Sequence, residues 1–475
     1  MKPSGLFVLL VTAAALAPAS RALATAPAPV VPAVAPAADV RLVTLKNGMR
    51  LLLAPDPAAG AVDLAVWYRA GTVTERAGIS GISHLFEHLM FAGSEHYAAQ
   101  EHNRLVQAEG GSANAYTTPD YACYYQTIPP GALELVLKLE ADRIGSLKLT
   151  AAALEAGKRM MREERRWRAQ ALPVGSALEG LDRLAWPSHP YRWPVLGLDE
   201  DLARISLADC QAYYEGHYAP NNATVTIVGC FDPDQALQAA KRWLEPLKRR
   251  RVANDAAPAE PAQKTGRRAF ERMGVPLGVV LAGWRAPGHA DPDSPALGLL
   301  SRILTGGPAS RLQHALTAEP LRCVSVQGAL DSRRDAGLLY AMAAPRPGAD
   351  SAVVERTLVE EVEKLAREPV GEEELDRVRR QEEIGTLIAW QTARGCAEAL
   401  GSALLVDGDW HAAALRLERV RQLTPADLQR AAARVLVAGG RNVLWVAPEK
   451  SPAGVPAGSG GGGPGSVVPP AEGGR

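Results

Sequence analysis

The chain has little cysteine, no net charge and no long apolar run beyond its start, and each shortage closes off a class of protein. Its five cysteines, at 123, 210, 230, 323 and 396, form no Cys-x-x-Cys pair, and an odd number cannot all pair within one chain. They suit small buried apolar side chains better than a disulfide scaffold or a thiolate metal site, with one or two bridges left open in an oxidising compartment. Lys plus Arg and Asp plus Glu both number 52, so net charge is zero. That excludes nucleic-acid or anionic-membrane binding driven by bulk electrostatics. Past the N-terminus no segment reaches about 18 uninterrupted apolar residues, so a soluble mature chain is expected. What is present, 47% hydrophobic and 22% charged residues over 475 positions, is globular composition with material for two or three cores.

The N-terminus has Lys2, an apolar run from Leu6 to Leu16 and small residues ending in Ala22-Leu23-Ala24. This is the order of a secretory signal peptide, expected to be cleaved after Ala24 or, alternatively, after Ala19, and it implies a periplasmic or secreted protein. The competing reading is an uncleaved anchor. Residues 25–39, rich in Ala, Pro and Val, read as a tether.

The stretch with the densest chemistry is Gly81 to Ser94. Apolar residues at 82, 85, 86, 89 and 90 recur with helical period, which puts His84, Glu87 and His88 at i, i+3 and i+4 on one face. Two imidazoles one turn apart can grip one metal ion, and their nitrogens suit zinc. Glu87, on the same face, is placed to take a proton from water as a general base. The order is His-x-x-Glu-His, the inverted zinc-peptidase pattern. Two unrelated histidines on a helix surface are the competing reading. A third ligand is sought on the helix expected over 151–171, where Glu163 and Glu164 are adjacent. On a helical wheel Ala153, Ala156, Met160 and Trp167 define an apolar arc with Glu164 near its centre and Glu163 at its edge. An inward carboxylate needs a partner, either the metal or a buried Arg.

Around this stretch the expected elements run in order. Asn47-Gly48 marks a hairpin between strands 41–45 and 49–53, a strand covers 61–69, and Ser83 is available to cap the metal helix. A helix over 101–109 stops at Gly110-Gly111, strand-forming residues follow through 128, and an amphipathic helix spans 133–147. Ser206 heads a helix that precedes a strand at Asn222 to Gly229. The same signature returns at Thr424 and at Asn442, 218 residues on from Ser206 and within two of that from Asn222. This is a repeat of domain size. It gives a metal-bearing domain at 40–248, a linker at 249–268 that opens with Arg249-Arg250-Arg251, a second domain at 269–450 without a metal motif, and a disordered Gly/Pro-rich tail at 451–475.

Taken together these residues resemble the pitrilysin/insulinase family of zinc metallopeptidases, in particular its shorter bacterial members and the mitochondrial processing peptidase. The similarity runs from about Leu42 to Val446 and includes Gly111 to Thr117, Tyr124-Tyr125, His189-Pro190-Tyr191 and Tyr218 to Asn222. The resemblance implies zinc held by His84, His88 and Glu164, with Glu87 as the base. It implies an α+β fold of two homologous domains, each an antiparallel sheet with helices packed on one face. It also implies that an extended peptide adds to a sheet edge at Asn114 and Ala115, with Tyr116 as a further substrate contact.

Three positions depart from the family pattern. An acid that often stands seven residues before the third ligand is Gly157 here. After the Gly-rich Leu304 to Leu312, the places of an Arg and a Tyr that help hold substrate in active single-chain members are Thr317 and Val324. The expected function is therefore an exported zinc endopeptidase acting on unfolded peptides, as the metal-bearing half of a heterodimer whose companion supplies the Arg/Tyr pair. The alternative is a non-catalytic structural or assembly subunit. A structural zinc in a peptide carrier fits less well, because such sites usually have four protein ligands.

Overall fold

The computed structural model describes residues 39–449 except 172, 255, 319 and 320. The expected signal peptide, the 25–38 part of the tether and the 451–475 tail lie outside the described residues. In the first half the order is β1 (Arg41–Thr44), β2 (Arg50–Pro55), β3 (Val62–Tyr68), α1 (Ile82–Leu89), α2 (Glu101–Ala108), β4 (Ser112–Thr117) and β5 (Ala122–Ile128). There follow α3 (Leu133–Ser146), α4 (Ala151–Ala171), α5 (Pro173–Ala185), α6 (Asp199–Arg204), α7 (Leu207–His217), β6 (Ala223–Gly229) and α8 (Pro233–Leu244). The second half has β7 (Arg267–Met273), β8 (Val279–Pro287), α9 (Ser294–Thr305), α10 (Arg311–Thr317), β9 (Cys323–Asp331) and β10 (Ala336–Pro345). It ends with α11 (Ser351–Lys364), α12 (Glu372–Ala389), α13 (Ala393–Val406), α14 (Ala412–Gln422), α15 (Pro425–Val435) and β11 (Arg441–Pro448).

The local signals act as read. Gly48 takes a positive φ of 90° in the β1–β2 turn, and Asn47 Oδ1 accepts from Met49 N. Ser206 and Asp209 form a capping box at the start of α7, and Thr424 and Asp427 form the same box at the start of α15. Each capped helix leads into a strand that enters the middle of its sheet. The first sheet has the order β1-β2-β6-β3-β5-β4 and the second β7-β11-β8-β10-β9. The architecture is α+β in two domains, and each sheet differs from a purely antiparallel one in a single pair, β2 with β6 and β7 with β11, which are parallel. A strand that returns after several helices is free of hairpin geometry and can enter in either direction.

Helices also do more than cover one face. Leu51, Leu53, Leu64, Val66 and Tyr124 point to the face packed by the first half's own helices. Alternate residues Leu52, Ala54 and Val228 pack instead against Ala397, Leu400 and Leu404 of α13, which belongs to the second half. The exchange is reciprocal: Leu281, Leu338, Leu444 and Val446 of the second sheet pack against Ala177, Leu181 and Ala185 of α5, from the first half. Both faces being covered, all seven residues of β3 and of β6 are buried. Glycines allow the close approach: a Cβ at Gly401 would lie 2.4 Å from the Trp67 ring, and one at Gly180 2.7 Å from Leu444 Cδ2.

Polar contacts join the halves beside the exchanged helices. Tyr191, from the His-Pro-Tyr motif, donates its hydroxyl to Asp120 Oδ1 (2.5 Å), while Asp120 Oδ2 accepts from Arg334 N (2.8 Å). Arg333 donates to both oxygens of Asp182 on α5 at 2.8 Å. All five cysteines are free, and Cys123, Cys210 and Cys323 are buried, as small apolar side chains would be.

Gly401→Ala tests the exchange. The added methyl has to displace the Trp67 indole, itself held by a 3.0 Å bond to Thr226 Oγ1. Urea denaturation should show a loss of about 1–3 kcal/mol, the usual cost of overpacking, whereas unchanged stability would mean that α13 is not held closely on this sheet.

Candidate metal centre

The first turn of α1 is fixed by an acid outside the helix. Glu75 Oε2 accepts from Gly81 N (2.8 Å) and Oε1 from Ser83 N (3.0 Å), two of the donors a helix start leaves open. Ser83 does not cap, contrary to the sequence expectation. Gly81, with φ at 85°, occupies the cap position, and the Ser83 hydroxyl is 2.7 Å from Tyr213 OH. Burial pushes Glu75 up to about 7, against the hydrogen bonds from Ser83 and Gly81.

α1 then lies across β4 and β5 and packs against α4. The two helices approach closely at Gly157, where a Cβ would fall 2.8 Å from Leu85 Cδ1 and 4.0 Å from His88 Cβ. Close helix contact thus occupies the place where the family often has an acid. The stripe of α4 that packs inward is Leu154, Gly157, Lys158 and Met161. This corrects the wheel reading, which had drawn the apolar arc through Ala153, Ala156, Met160 and Trp167; the last two are exposed, at 51% and 53%. The neighbouring helix, not the count of apolar side chains, chose the inward face. Glu164 still turns toward α1 from the border of that stripe, while Glu163 is out in solvent and paired with Arg166.

Three side chains converge. Glu164 Oε2 is 3.3 Å from His84 Nε2 and 3.5 Å from His88 Nε2, and one ligand atom from each residue lies within 4.8 Å of the other two. The imidazoles are near parallel, 17° apart with centroids at 5.3 Å. Glu164 Oε1 is held by Arg168 at 2.7 Å, so the carboxylate has the Arg partner as well as the histidines. Glu87 Oε2 is 3.7 Å from His84 Nε2 and accepts from Thr117 Oγ1 at 2.8 Å, while Oε1 has no hydrogen bond among the described residues.

The electrostatics call for a cation. Burial would raise the Glu164 pKa, but the His84 and His88 imidazoles, with the charge of Arg168, outweigh it and hold the carboxyl well below the usual range. Burial likewise disfavours protonated His84, yet Glu164 and Glu87 raise its pKa on balance. His88 Nε2 is buried without a well-formed hydrogen bond. A buried imidazole nitrogen lacking a partner, beside a carboxylate and a second imidazole, is the donor set of a zinc site with one open position.

The positions expected to bind substrate lie on β4, an edge strand whose one strand partner among the described residues is β5. Thr117, at its end, touches Glu87, so the edge leads to the site. Ala115 faces the core at 7% exposure, and Asn114 Oδ1 accepts from Ala115 N. The Tyr116 side chain belongs to the opposite face, where its hydroxyl donates to Glu398 of α13 (2.5 Å) and its ring packs edge-on against Trp67. In the second half, Thr317 Oγ1 bonds within its own helix to Gln313 O (2.7 Å), and Val324 is 53% exposed on the edge strand β9. Sequence reasoning missed Glu75, Thr117 and Arg168 as supports. Only Arg168, four residues after Glu164, left a signal, that of an i,i+4 pair.

Two α+β domains with a His₂Glu cluster on two helices of the first define a class of inverted-motif metallopeptidase-like proteins. The chain belongs to the insulinase family, peptidase family M16. The family's description "Insulinase (Peptidase family M16)" matches residues 50–197, which contain all four residues of the cluster and base, and "Peptidase M16 inactive domain" matches 204–382. The chain is 30% identical over 343 residues to the zinc protease PqqE of Helicobacter pylori, covering 71% of this chain and 77% of that protein. It is 24% identical over 388 residues to a probable mitochondrial-processing peptidase subunit beta of Arabidopsis thaliana, covering 78% and 71%. A crystal structure of a protease from Helicobacter pylori superposes with a TM-score of 0.81 at 27% identity, over 86% of this chain and 99% of that one. The fold alone is shared with a peptidase M16 inactive domain from Pseudomonas fluorescens, at a TM-score of 0.78 and 17% identity, over 86% and 98%.

The two adjacent acids give the ligand test. Glu164→Ala should strip the stoichiometric metal from purified protein, since two imidazoles alone hold zinc poorly against water and buffer, and Glu163→Ala should keep it. Metal analysis after desalting decides; equal metal in both variants would place the third ligand elsewhere.

Proposed function

We propose that this protein is an exported zinc-dependent endopeptidase that hydrolyses peptides or unfolded polypeptide segments, working as the metal-bearing subunit of a heterodimer. The observation that carries the reading is the convergence of one ligand atom each from His84, His88 and Glu164 within 4.8 Å of one another, with Glu87 alongside. Zinc in such a site supplies Lewis acidity, polarising a carbonyl and acidifying water. His84 and His88 would hold it through Nε2 and Glu164 through Oε2, with Arg168 keeping that carboxylate turned inward.

Glu87 is the group that moves the proton. Its Oε2 is fixed by Thr117, which leaves Oε1 to accept a proton from the attacking water and to return it to the departing amine. Half-buried, with 19% of its side chain exposed, it can be reached from solvent. The peptide would add to the open edge of β4 at Asn114 and Ala115, so that backbone hydrogen bonds bring it past Glu87 with little demand on sequence. Tyr116 would shape that edge through its bond to Glu398 rather than through its ring touching substrate.

Support for a companion comes from Thr317 and Val324, neither of which offers the hydrogen-bond donors of an Arg/Tyr pair to developing oxyanion charge. Losing one such donor typically costs about 10²–10³ in kcat. Support for export comes from the signal-peptide order of residues 1–24. No helix among the described residues is long and apolar enough to cross a membrane.

Glu87→Gln should keep about one zinc per chain and lose about 10²–10⁴ in turnover, because the amide keeps the shape and cannot take the proton. Wild-type turnover in that variant would remove Glu87 from the role. The zinc-loaded wild-type chain should be weakly active alone on quenched unfolded peptides and gain on addition of a similar-sized companion; full activity of the isolated chain would overturn the division of labour.

A further inference from the structure

The run Lys248-Arg249-Arg250-Arg251 does more than open the expected linker. Beyond α8 the chain passes the C-terminal end of α3, and Gly145 lets it come close: a Cβ there would lie 3.0 Å from Leu247 Cδ2. Arg250 turns inward. Its guanidinium lies over the Tyr214 ring at 4.6 Å, Nη2 donates to Ile144 O (2.8 Å), and the backbone N–H donates to Asn221 Oδ1 (3.0 Å). Nη1 is buried with no hydrogen-bond partner among the described residues, although such donors are nearly always met.

Arg250 lines a cleft of about 620 Å³. One wall is a single face of α3, with Lys138, Ala141, Asp142 and Gly145 at one- and two-turn spacing; the other holds Trp243, Leu247 and Lys248. Acids at and near the cleft are spoken for. Asp142 is met by His96 Nδ1 (2.5 Å) and Ser146 Oγ (3.2 Å), Glu134 by Arg242 and Glu245 by Lys46. The hydrogen bond from Asp142, with its charge, raises the His96 pKa, so that pair tends to neutrality. Lys138, Lys248 and Arg250, by contrast, have no carboxylate partner among the described residues. Cations near a helix end often serve its last carbonyls. Here Ile144 O is met by Arg250 and Tyr214, and Leu244 O by Asn47, which leaves both lysines without that use.

We propose that this cleft binds a phosphate group carried on an apolar body, with Lys138, Lys248 and Arg250 around the phosphate and Trp243 and Leu247 against the body. Three unpaired cations around one concavity make a local positive field in a chain of zero net charge. Lysine supplies point charges and arginine a fork of donors, a combination suited to phosphate oxygens. The volume is that of a small-molecule site, so a phosphate leaves room for what carries it. An anionic phospholipid headgroup and a soluble phosphate ester share this chemistry. The cleft shares no residue with the metal centre, and the inference stands apart from the peptidase reading.

The test uses the zinc-loaded full chain with phenyl phosphate, with phenol, and with phosphatidylcholine vesicles prepared with and without phosphatidylglycerol. Phenyl phosphate should bind at a single site and change the emission of Trp243, a signal that Trp243→Phe removes, while phenol should not. Lys138→Ala combined with Lys248→Ala changes two exposed side chains and should keep the zinc content and the urea midpoint. It should weaken phenyl phosphate about tenfold or more, the usual loss for contacts to charged groups. Sedimentation with phosphatidylglycerol vesicles that the double variant weakens assigns the phosphate to a lipid headgroup; phenyl phosphate binding without sedimentation assigns it to a soluble ester. The proposal is overturned if wild type binds neither phenyl phosphate nor phosphatidylglycerol vesicles. Binding that the double variant leaves unchanged, or that phenol matches, overturns it as well.

Discussion

A sheet in water can leave one face wet, and neither sheet of this protein does. Each half sends one helix to the far face of the other's sheet, α5 in one direction and α13 in the other, so the two halves cannot bury their strands separately. The central strands accordingly are buried along their whole length, and glycines stand where helix meets sheet most closely. The half with the metal motif is tied into this arrangement through its edge strand. Tyr116 on β4 bonds Glu398 of α13, and Arg394 of α13 lies over the Tyr125 ring, with its guanidinium 3.6 Å from the centroid. The edge strand that leads to the site is thus braced from behind by the half that has no metal motif.

On the other face, the site gathers two imidazoles and two carboxylates, each carboxylate held by a neighbour. Glu75 holds the N-terminus of α1, Thr117 holds Glu87, and Arg168 holds the outer oxygen of Glu164. Glu75 and Thr117 act from outside the helix they support and Arg168 from within its own, and such hydrogen bonds and ion pairs keep a constellation in one geometry before any ligand arrives. Gly157 matters for the same reason, since it lets α4 come close enough for Glu164 to meet both imidazoles.

The second half shows the same two helices put to another use. Glu382 on α12 stands 218 residues after Glu164, the spacing of the capping boxes, and it accepts from Arg302 of α9 at 2.6 Å. An ion pair there bridges the helices that the metal ligands bridge in the first half. A permanent side-chain cation satisfies the carboxylate directly, and this half supplies α13 to its neighbour's sheet.

Local interactions were legible in the residues themselves. Helical period put His84, Glu87 and His88 on one face, Asn47-Gly48 marked a turn, and Ser206 and Thr424 announced matching helix starts, because each depends only on residues within a turn of one another. The sequence alone also determined the repeat and the family, through motifs in fixed order. The tertiary structure decided what depends on distant neighbours. Helix α4 shows its inward face only once α1 is packed at Gly157, which is why the apolar arc through Met160 and Trp167 misled. Glu75 took the capping role from Ser83 because burial brought its carboxylate to the helix start. The exchange of α5 and α13 left no local trace, since an apolar helix face carries no label for the sheet it will cover.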